Sequence, residues 1–284
     1  MKQNTFLFIL ATCLAGFFIF KFTGGNGSLA NPAPKKTDFE FGHETVTSDF
    51  EINCKEDLLD EVFDWGRKLE KEALDTFGSE VTEAEEQAFG KTLHEQFEYT
   101  YLKDKRFKKC NGIFKRMLPL VERGELGYTI YLIEDEVVNA WTTPGGRIYI
   151  TTGIYDFCAN DDELAIVIGH ELGHHENLHT RRIVQKVKTG TDNFGDFLGS
   201  LSVGIYQQFS QPFSQNDELE ADFCGFYLAA KAGYDPEVGI EFWKRMAEGE
   251  AENQAFKVLR SHPYSSKRHD CGKDHIHKAR RDLN

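Results

Sequence analysis

The chain has 284 residues, 40% hydrophobic and 28% charged, a balance that excludes a disordered protein and allows a well-buried core in one or two domains. Its formal net charge is −13 and no basic stripe interleaves with aromatic residues, so nucleic acid is not an expected partner. Six cysteines without a C-x-x-C pair indicate neither a zinc knuckle nor a disulfide scaffold.

In chain order, residues 1–30 join Lys2, an apolar run from Phe6 to Phe20 and the small residues Ser28-Leu29-Ala30, the pattern of a signal peptide. With Phe22 beyond Lys21, the stretch 6–22 can instead serve as an uncleaved membrane anchor. Either reading predicts an exported protein, periplasmic or otherwise extracytoplasmic. Residues 31–50 show no periodicity and predict a linker, which leaves 51–284 as one domain. Cys54 and Cys110 flank predicted helices and can pair in an exported chain, or both can be small buried residues.

Three helical stripes come next. Leu58, Leu59, Val62, Trp65, Leu69, Ala73 and Phe77 mark the first. Thr82 and Glu85 form a capping box that opens the second, with Phe89, Leu93, Phe97 and Tyr101 spaced by four. Phe107, Cys110, Phe114, Met117, Leu118 and Val121 carry the third. The period then changes to that of strands at 128–135, 137–143 and 147–153, with Pro144-Gly145-Gly146 breaking the last two apart. Asn160, Asp161 and Asp162 cap a long helix running from Glu163 towards Lys188. Residues 189–213, rich in glycine and aromatics, read as a lid or flap that can press Phe194, Phe197, Leu198 and Leu201 onto a membrane. A further helix over 216–233 stops at Gly233, with Pro236 behind it.

The long helix contains HELGHHENLH, residues 170–179, in which H-E-x-x-H occurs twice, as His170, Glu171, His174 and as His175, Glu176, His179. Five residues rotate the second set by roughly 140°, so one cleft admits one set. Each set places two imidazoles one turn apart, the spacing by which a helix offers two ligands to one ion. Context favours the first. It follows the apolar run Leu164 to Ile168, which demands burial, and Gly169 and Gly173 let another backbone approach. The second set sits beside Asn177, Thr180, Arg181 and Arg182, a solvated neighbourhood whose guanidinium groups oppose a dication, and His175 and Glu176 read as surface residues.

Forty-four residues after His174 stands Glu218-Leu219-Glu220-Ala221-Asp222. Glu218 and Asp222 are four apart and share a helical face with Ala221 and Gly225. Glu218 then completes a set of two His and one Glu with a fourth position open, as in catalytic zinc sites. Asp222 is placed to accept a hydrogen bond from the far ring nitrogen of a ligand histidine and fix its tautomer. Glu220 lies on another face and is the reserve ligand.

These residues resemble the zinc metallopeptidase family that includes the CAAX prenyl-protein endopeptidases, the heat-shock membrane proteases and the outer-membrane-assembly proteases. The resemblance covers about residues 128–270. Four elements carry it in order: the run NAWTTPGGRIYITTG, the metal helix, ELEAD, and His262-Pro263 with Arg268. It implies an α+β zincin (gluzincin) fold, mostly helical with a small β-sheet above the active-site helix. It also implies a zinc endopeptidase acting on polypeptide substrates. Glu171 would be the general base, and His262 or Arg268 the oxyanion donor, unless His262 covers the metal in a resting state. Arg147, Ile148, Tyr149 and Ile150 read as an edge strand to which an extended peptide adds, or as a sheet interior. The sequence departs from two branches, with no tetratricopeptide repeat after the metal region and no four membrane spans, so substrates and partners are not carried over from either. The rival readings are a zinc-containing chaperone or assembly factor with little hydrolysis, and an aminopeptidase, for which no anchor for a free amine is recognisable.

Overall fold

The computed structural model of the chain describes residues 38–41, 44–47, 72–76, 78–190, 213–252, 268–273 and 276. The expected targeting segment, the stripe from Leu58 to Leu69, the segment 191–212 and His262 lie outside these residues. The chain divides into two compact units, Met1–Phe50 and Glu51–Asn284. In the first, the stretch read as a linker carries a hairpin in which β1 (Asp38–Phe41) pairs antiparallel with β2 (Glu44–Thr47), Phe39 opposite Val46. Four-residue alternations of Phe, Val and Thr suit a pleated surface but are too short to register as a strand period.

The second unit opens its described part with a helical stretch at 72–76 and then α1 (Glu83–Glu95). The predicted capping box is present: Glu85 N donates to Thr82 Oγ1 at 3.2 Å and Thr82 N to the Glu85 carboxylate at 2.9 Å. The helix ends earlier than the four-residue spacing predicts. Phe97 lies beyond its cap at Gln96, and Tyr101 is already in β3 (Tyr101–Leu102). The cause is tertiary, because these aromatics converge on Tyr149. Phe97 meets its ring edge-on at 5.6 Å, and Tyr131 and Trp141 stack on it at 5.2 and 5.1 Å.

Next come α2 (Lys105–Met117), capped by Asp104, and a short 3-10 turn at Leu118–Leu120 that Pro119 enforces. Strands β4 (Thr129–Ile133), β5 (Ala140–Thr143) and β6 (Arg147–Thr151) join β3 in a four-stranded sheet of order β3-β4-β6-β5. The β4–β6 pair is parallel and the others antiparallel. Gly145 and Gly146 turn the β5–β6 hairpin at φ +80° and +76°, a backbone that other residues rarely adopt. This order corrects the edge-strand reading of Arg147, Ile148, Tyr149 and Ile150. Their strand lies inside the sheet, Ile148, Tyr149 and Ile150 are fully buried, and the outer position next to β6 belongs to β5.

After the short α3 (Thr152–Phe157), α4 (Asp161–Glu176) starts at Asn160, whose side chain accepts from Glu163 N at 3.0 Å. Every residue of α4 from Glu163 to His175 is buried. The helix does not continue to Lys188 as periodicity suggests. Asn177 caps it, Leu178 takes a left-handed φ of 61°, and a separate α5 (His179–Gly190) sets off. Helix α6 (Gln215–Lys231) begins in a Ser214–Asp217 capping box and stops at Gly233, followed by α7 (Pro236–Gly239) and α8 (Glu241–Glu252). The whole is α+β, mainly helical with a small sheet. Among the described residues no helix is long and apolar enough to cross a membrane.

Glycines set the distance between α4 and α6. A β-carbon on Gly169 would lie 2.8 Å from the Gly225 carbonyl oxygen, one on Gly173 2.7 Å from that of Ala221, and one on Gly225 2.7 Å from His170 N. The two backbones therefore touch, and the carboxylates of α6 come within reach of the histidines of α4.

Candidate metal centre

The approach of these helices brings His170, His174 and Glu218 together, one ligand atom of each within 4.8 Å of the others, all three buried. The Nε2 atoms of His170 and His174 are 3.0 Å apart, and each is 3.5 Å from an oxygen of Glu218. Imidazole and carboxylate bind a tetrahedral dication at about 2.0–2.1 Å, which separates ligand atoms by roughly 3.3 Å. The spacings found straddle that value, so this donor set fits such an ion. Glu171 is buried beside it, and a small pocket against His170 and Glu171 is walled by Ala140, Ile154, Val167, Phe242 and Trp243.

The outward nitrogens of the two histidines are held as well. Asp222 Oδ1 is 2.9 Å from His170 Nδ1. His174 Nδ1 faces Nδ1 of His179 at 2.9 Å, and His179 Nε2 meets Glu220 Oε2 at 3.0 Å. Phe213, the end of the predicted flap, stacks on the His174 ring at 3.8 Å.

Arg268 is wholly buried and faces the same carboxylates. Its Nε and one terminal nitrogen donate to the two oxygens of Asp222 at 2.7 and 2.5 Å, and the other terminal nitrogen is 2.8 Å from Glu218. Its guanidinium lies 3.4 Å over the Trp243 ring. Burial by itself would lower the Arg268 pKa, but Asp222 and Glu218 outweigh it and raise the value. The guanidinium is thus committed to Asp222 and Glu218.

The second histidine set is divided by the helix end at Asn177. His175 points away from the cluster, fully buried, in contact with Thr142 Oγ1 and 3.0 Å from Thr180 Oγ1. Burial pushes its pKa down to about 3, so the ring is neutral. Glu176 accepts from Tyr128 at 2.6 Å and from Glu122 N at 2.7 Å. The surface reading is therefore overturned for His175, while Glu176 is half-buried and hydrogen-bonded. The nearby arginines are taken up by acids: Arg181 meets Glu83 and the buried Glu86, and Arg182 meets Asp217. His179, which pattern matching placed in the discarded set, rejoins the first through its contact with His174. Nothing in the spacing announces this, because it depends on the left-handed turn at Leu178.

Of the two readings of Cys110, the structure bears out the buried residue over the pairing, and Cys54 lies outside the described residues. Cys110 is free and buried, with its thiol pKa pushed up to about 12 by burial, whereas Cys271 is disulfide-bonded.

Comparison with known proteins agrees with the resemblance drawn from sequence. The fission yeast (Schizosaccharomyces pombe) mitochondrial metalloendopeptidase OMA1 is 29% identical over 166 residues, 55% of this chain and 49% of that protein. The Arabidopsis thaliana mitochondrial metalloendopeptidase OMA1 is 30% identical over 153 residues, 50% of this chain and 30% of its own. The metalloprotease LoiP of Escherichia coli K12 is 29% identical over 154 residues, 50% of this chain and 60% of its own. The chain thus spans less than two thirds of each of these relatives. The mitochondrial proteins among them overturn the expectation of a periplasmic, exported protein drawn from residues 1–30. Residues 104–270, more than half of the chain, match Peptidase family M48, and the chain belongs to that family.

Proposed function

We propose that the chain is a zinc-dependent endopeptidase of the zincin type that cuts unfolded or flexible polypeptide segments. The observation that carries this reading is the convergence of His170, His174 and Glu218 beside the buried Glu171, on a helix packed against an outer strand. Zinc, when bound there, supplies Lewis acidity towards the scissile carbonyl and makes water acidic near neutral pH. Glu171 accepts the proton of the attacking water and delivers it to the leaving nitrogen. Asp222 and Arg268 act behind the ligands, orienting His170 and Glu218 without touching substrate.

Substrate docks along β5. Thr151 N donates to Asn139 O at 3.1 Å, so in an antiparallel ladder Asn139 and Trp141 spend their backbone groups on β6 while Ala140 and Thr142 present theirs to the open side. Ala140 also walls the pocket next to His170 and Glu171, so a peptide added there runs past the general base. Strand addition reads backbone shape, hence the preference for extended segments.

The test compares cleavage of an unfolded protein by the full chain, by Glu171→Gln and by Glu98→Gln, an exposed control. The expected result is loss of cleavage in Glu171→Gln alone, with zinc retained. Equal cleavage by Glu171→Gln, or zinc binding with no cleavage by the unaltered chain, overturns the reading.

A further inference from the structure

The two histidines of the site are supported differently, and the difference assigns a role to His179. His170 is backed directly by Asp222, whereas His174 meets another imidazole. Resting on the metal-centre reading above, we infer that His179 and Glu220 form a relay that fixes the ring of His174, making His179 a positioning residue for the metal. The proton arrangement follows from the contacts. A ligand nitrogen must offer a lone pair, so metal at His174 Nε2 leaves the proton on Nδ1. That proton is donated across 2.9 Å to His179 Nδ1, which must then be the acceptor. His179 therefore carries its own proton on Nε2 and donates it across 3.0 Å to Glu220 Oε2. Each position has one compatible tautomer, and the chain ends on a carboxylate, as the direct link from His170 ends on Asp222.

His179, Asp217 and Glu220 also lie close enough to suggest a cation site of their own, with ligand atoms within 4.8 Å. Arg182, 3.4 Å from Asp217 Oδ1, opposes that use, and the inferred relay would leave a proton on the nitrogen such an ion needs. Burial separates the roles too: His179 is fully buried, while Asp217 and Glu220 keep about a quarter of their side chains in solvent, suiting them to anchor the outer end.

Zinc affinity of the full chain, measured by competition with a chromophoric chelator, tests this with His179→Ala and Glu220→Gln, each alongside the melting midpoint of the zinc-free protein. The expected loss is about 10–100-fold for His179→Ala and smaller for Glu220→Gln, where an amide oxygen still accepts. Nitrogen-15 spectra of the histidine rings in the zinc-loaded chain should show His174 protonated on Nδ1 and His179 on Nε2, a signature that a packing role does not produce. Wild-type affinity in both variants, a proton on His179 Nδ1, or a second zinc equivalent lost in Glu220→Gln overturns the relay while leaving the metal centre intact. Failure of the unaltered chain to bind zinc overturns both. If His179→Ala does not fold, Glu220→Gln and the ring spectra decide.

Discussion

Gly173→Ala is the substitution whose cost can be worked most directly from the geometry. The added β-carbon would stand 2.7 Å from the Ala221 carbonyl oxygen, 2.9 Å from its Cα and 3.1 Å from the Cys224 β-carbon, whereas ordinary contact starts at 3.4 Å. Two of the three obstructing atoms are helical backbone and cannot swing aside, so α4 and α6 must part by about 0.7 Å at this crossing. Overpacking of this kind costs about 1–3 kcal/mol. The change also removes a glycine from a helix interior, which returns up to about 1 kcal/mol. The net loss is therefore modest, on the order of 1 kcal/mol, and a domain of this size shifts its melting midpoint by only about 2–4 °C per kcal/mol. Function should suffer far more. The parting occurs between His174 on one helix and Glu218 on the other, and a misplacement near 1 Å can cost about 100-fold in rate. The assay pairs a denaturant melt of the zinc-free protein with zinc affinity and cleavage of an unfolded substrate. Wild-type affinity and rate in a folded Gly173→Ala protein would refute the claim that this glycine contact positions Glu218.

Three further outcomes follow from named contacts. Glu86→Gln removes a fully buried carboxylate that Arg123 meets at 2.6 Å and Arg181 at 3.0 Å, and breaking such a pair costs about 3–5 kcal/mol. Burial alone would raise the Glu86 pKa, but the arginines overcome it and hold the value below 4.5. Its contribution is thus full above pH 4.5 and lost as pH falls through the lower folded value, so urea midpoints of wild type and variant should converge in that acid window and nowhere above it. Arg268→Met keeps packing on Trp243 but strips the guanidinium from Asp222 and Glu218. The zinc-free protein should lose about 3–5 kcal/mol, and added zinc should raise the variant's melting midpoint more than that of wild type, because the ion restores positive charge. Finally, substrates N-methylated at successive backbone amides should show a two-residue period in KM, since alternate groups face β5, whereas a uniform effect would argue against strand addition.

What could be read in the sequence was local. Caps at Thr82 and Asn160, the Pro-Gly-Gly turn and the stop at Gly233 depend on chemistry within a few residues, and spacing alone put Glu218 on one face with Asp222. The choice of His170 and His174 also rested on neighbours in the chain, the apolar run and the two glycines. What escaped depends on partners distant in sequence. Which strand lies outermost is decided by β4 pairing parallel to β6 across the intervening β5, an arrangement no single strand encodes. The burial of His175 depends on Thr142 of that outer strand, and the fate of Arg181 on Glu86 almost a hundred residues earlier. Charged residues near a polar helix end resemble a solvated surface until their partners are known.

The charge balance of the centre explains why these elements belong together. Glu171, Glu218 and Asp222 are all buried, and buried carboxylates must be neutralised, hydrogen-bonded or bound to metal. Arg268 brings one positive charge, held against Asp222 and Glu218 and felt by Glu171 at longer range. One guanidinium does not balance three carboxylates, and the two ligand histidines are neutral when they bind an ion. A dication held by His170, His174 and Glu218 would supply the remaining charge. Arg268 offsets part of the charge through Asp222 and Glu218, and an ion held there would complete the neutralisation. The same guanidinium that looks out of place beside a metal is thus what allows so acidic a pocket to be built inside a protein.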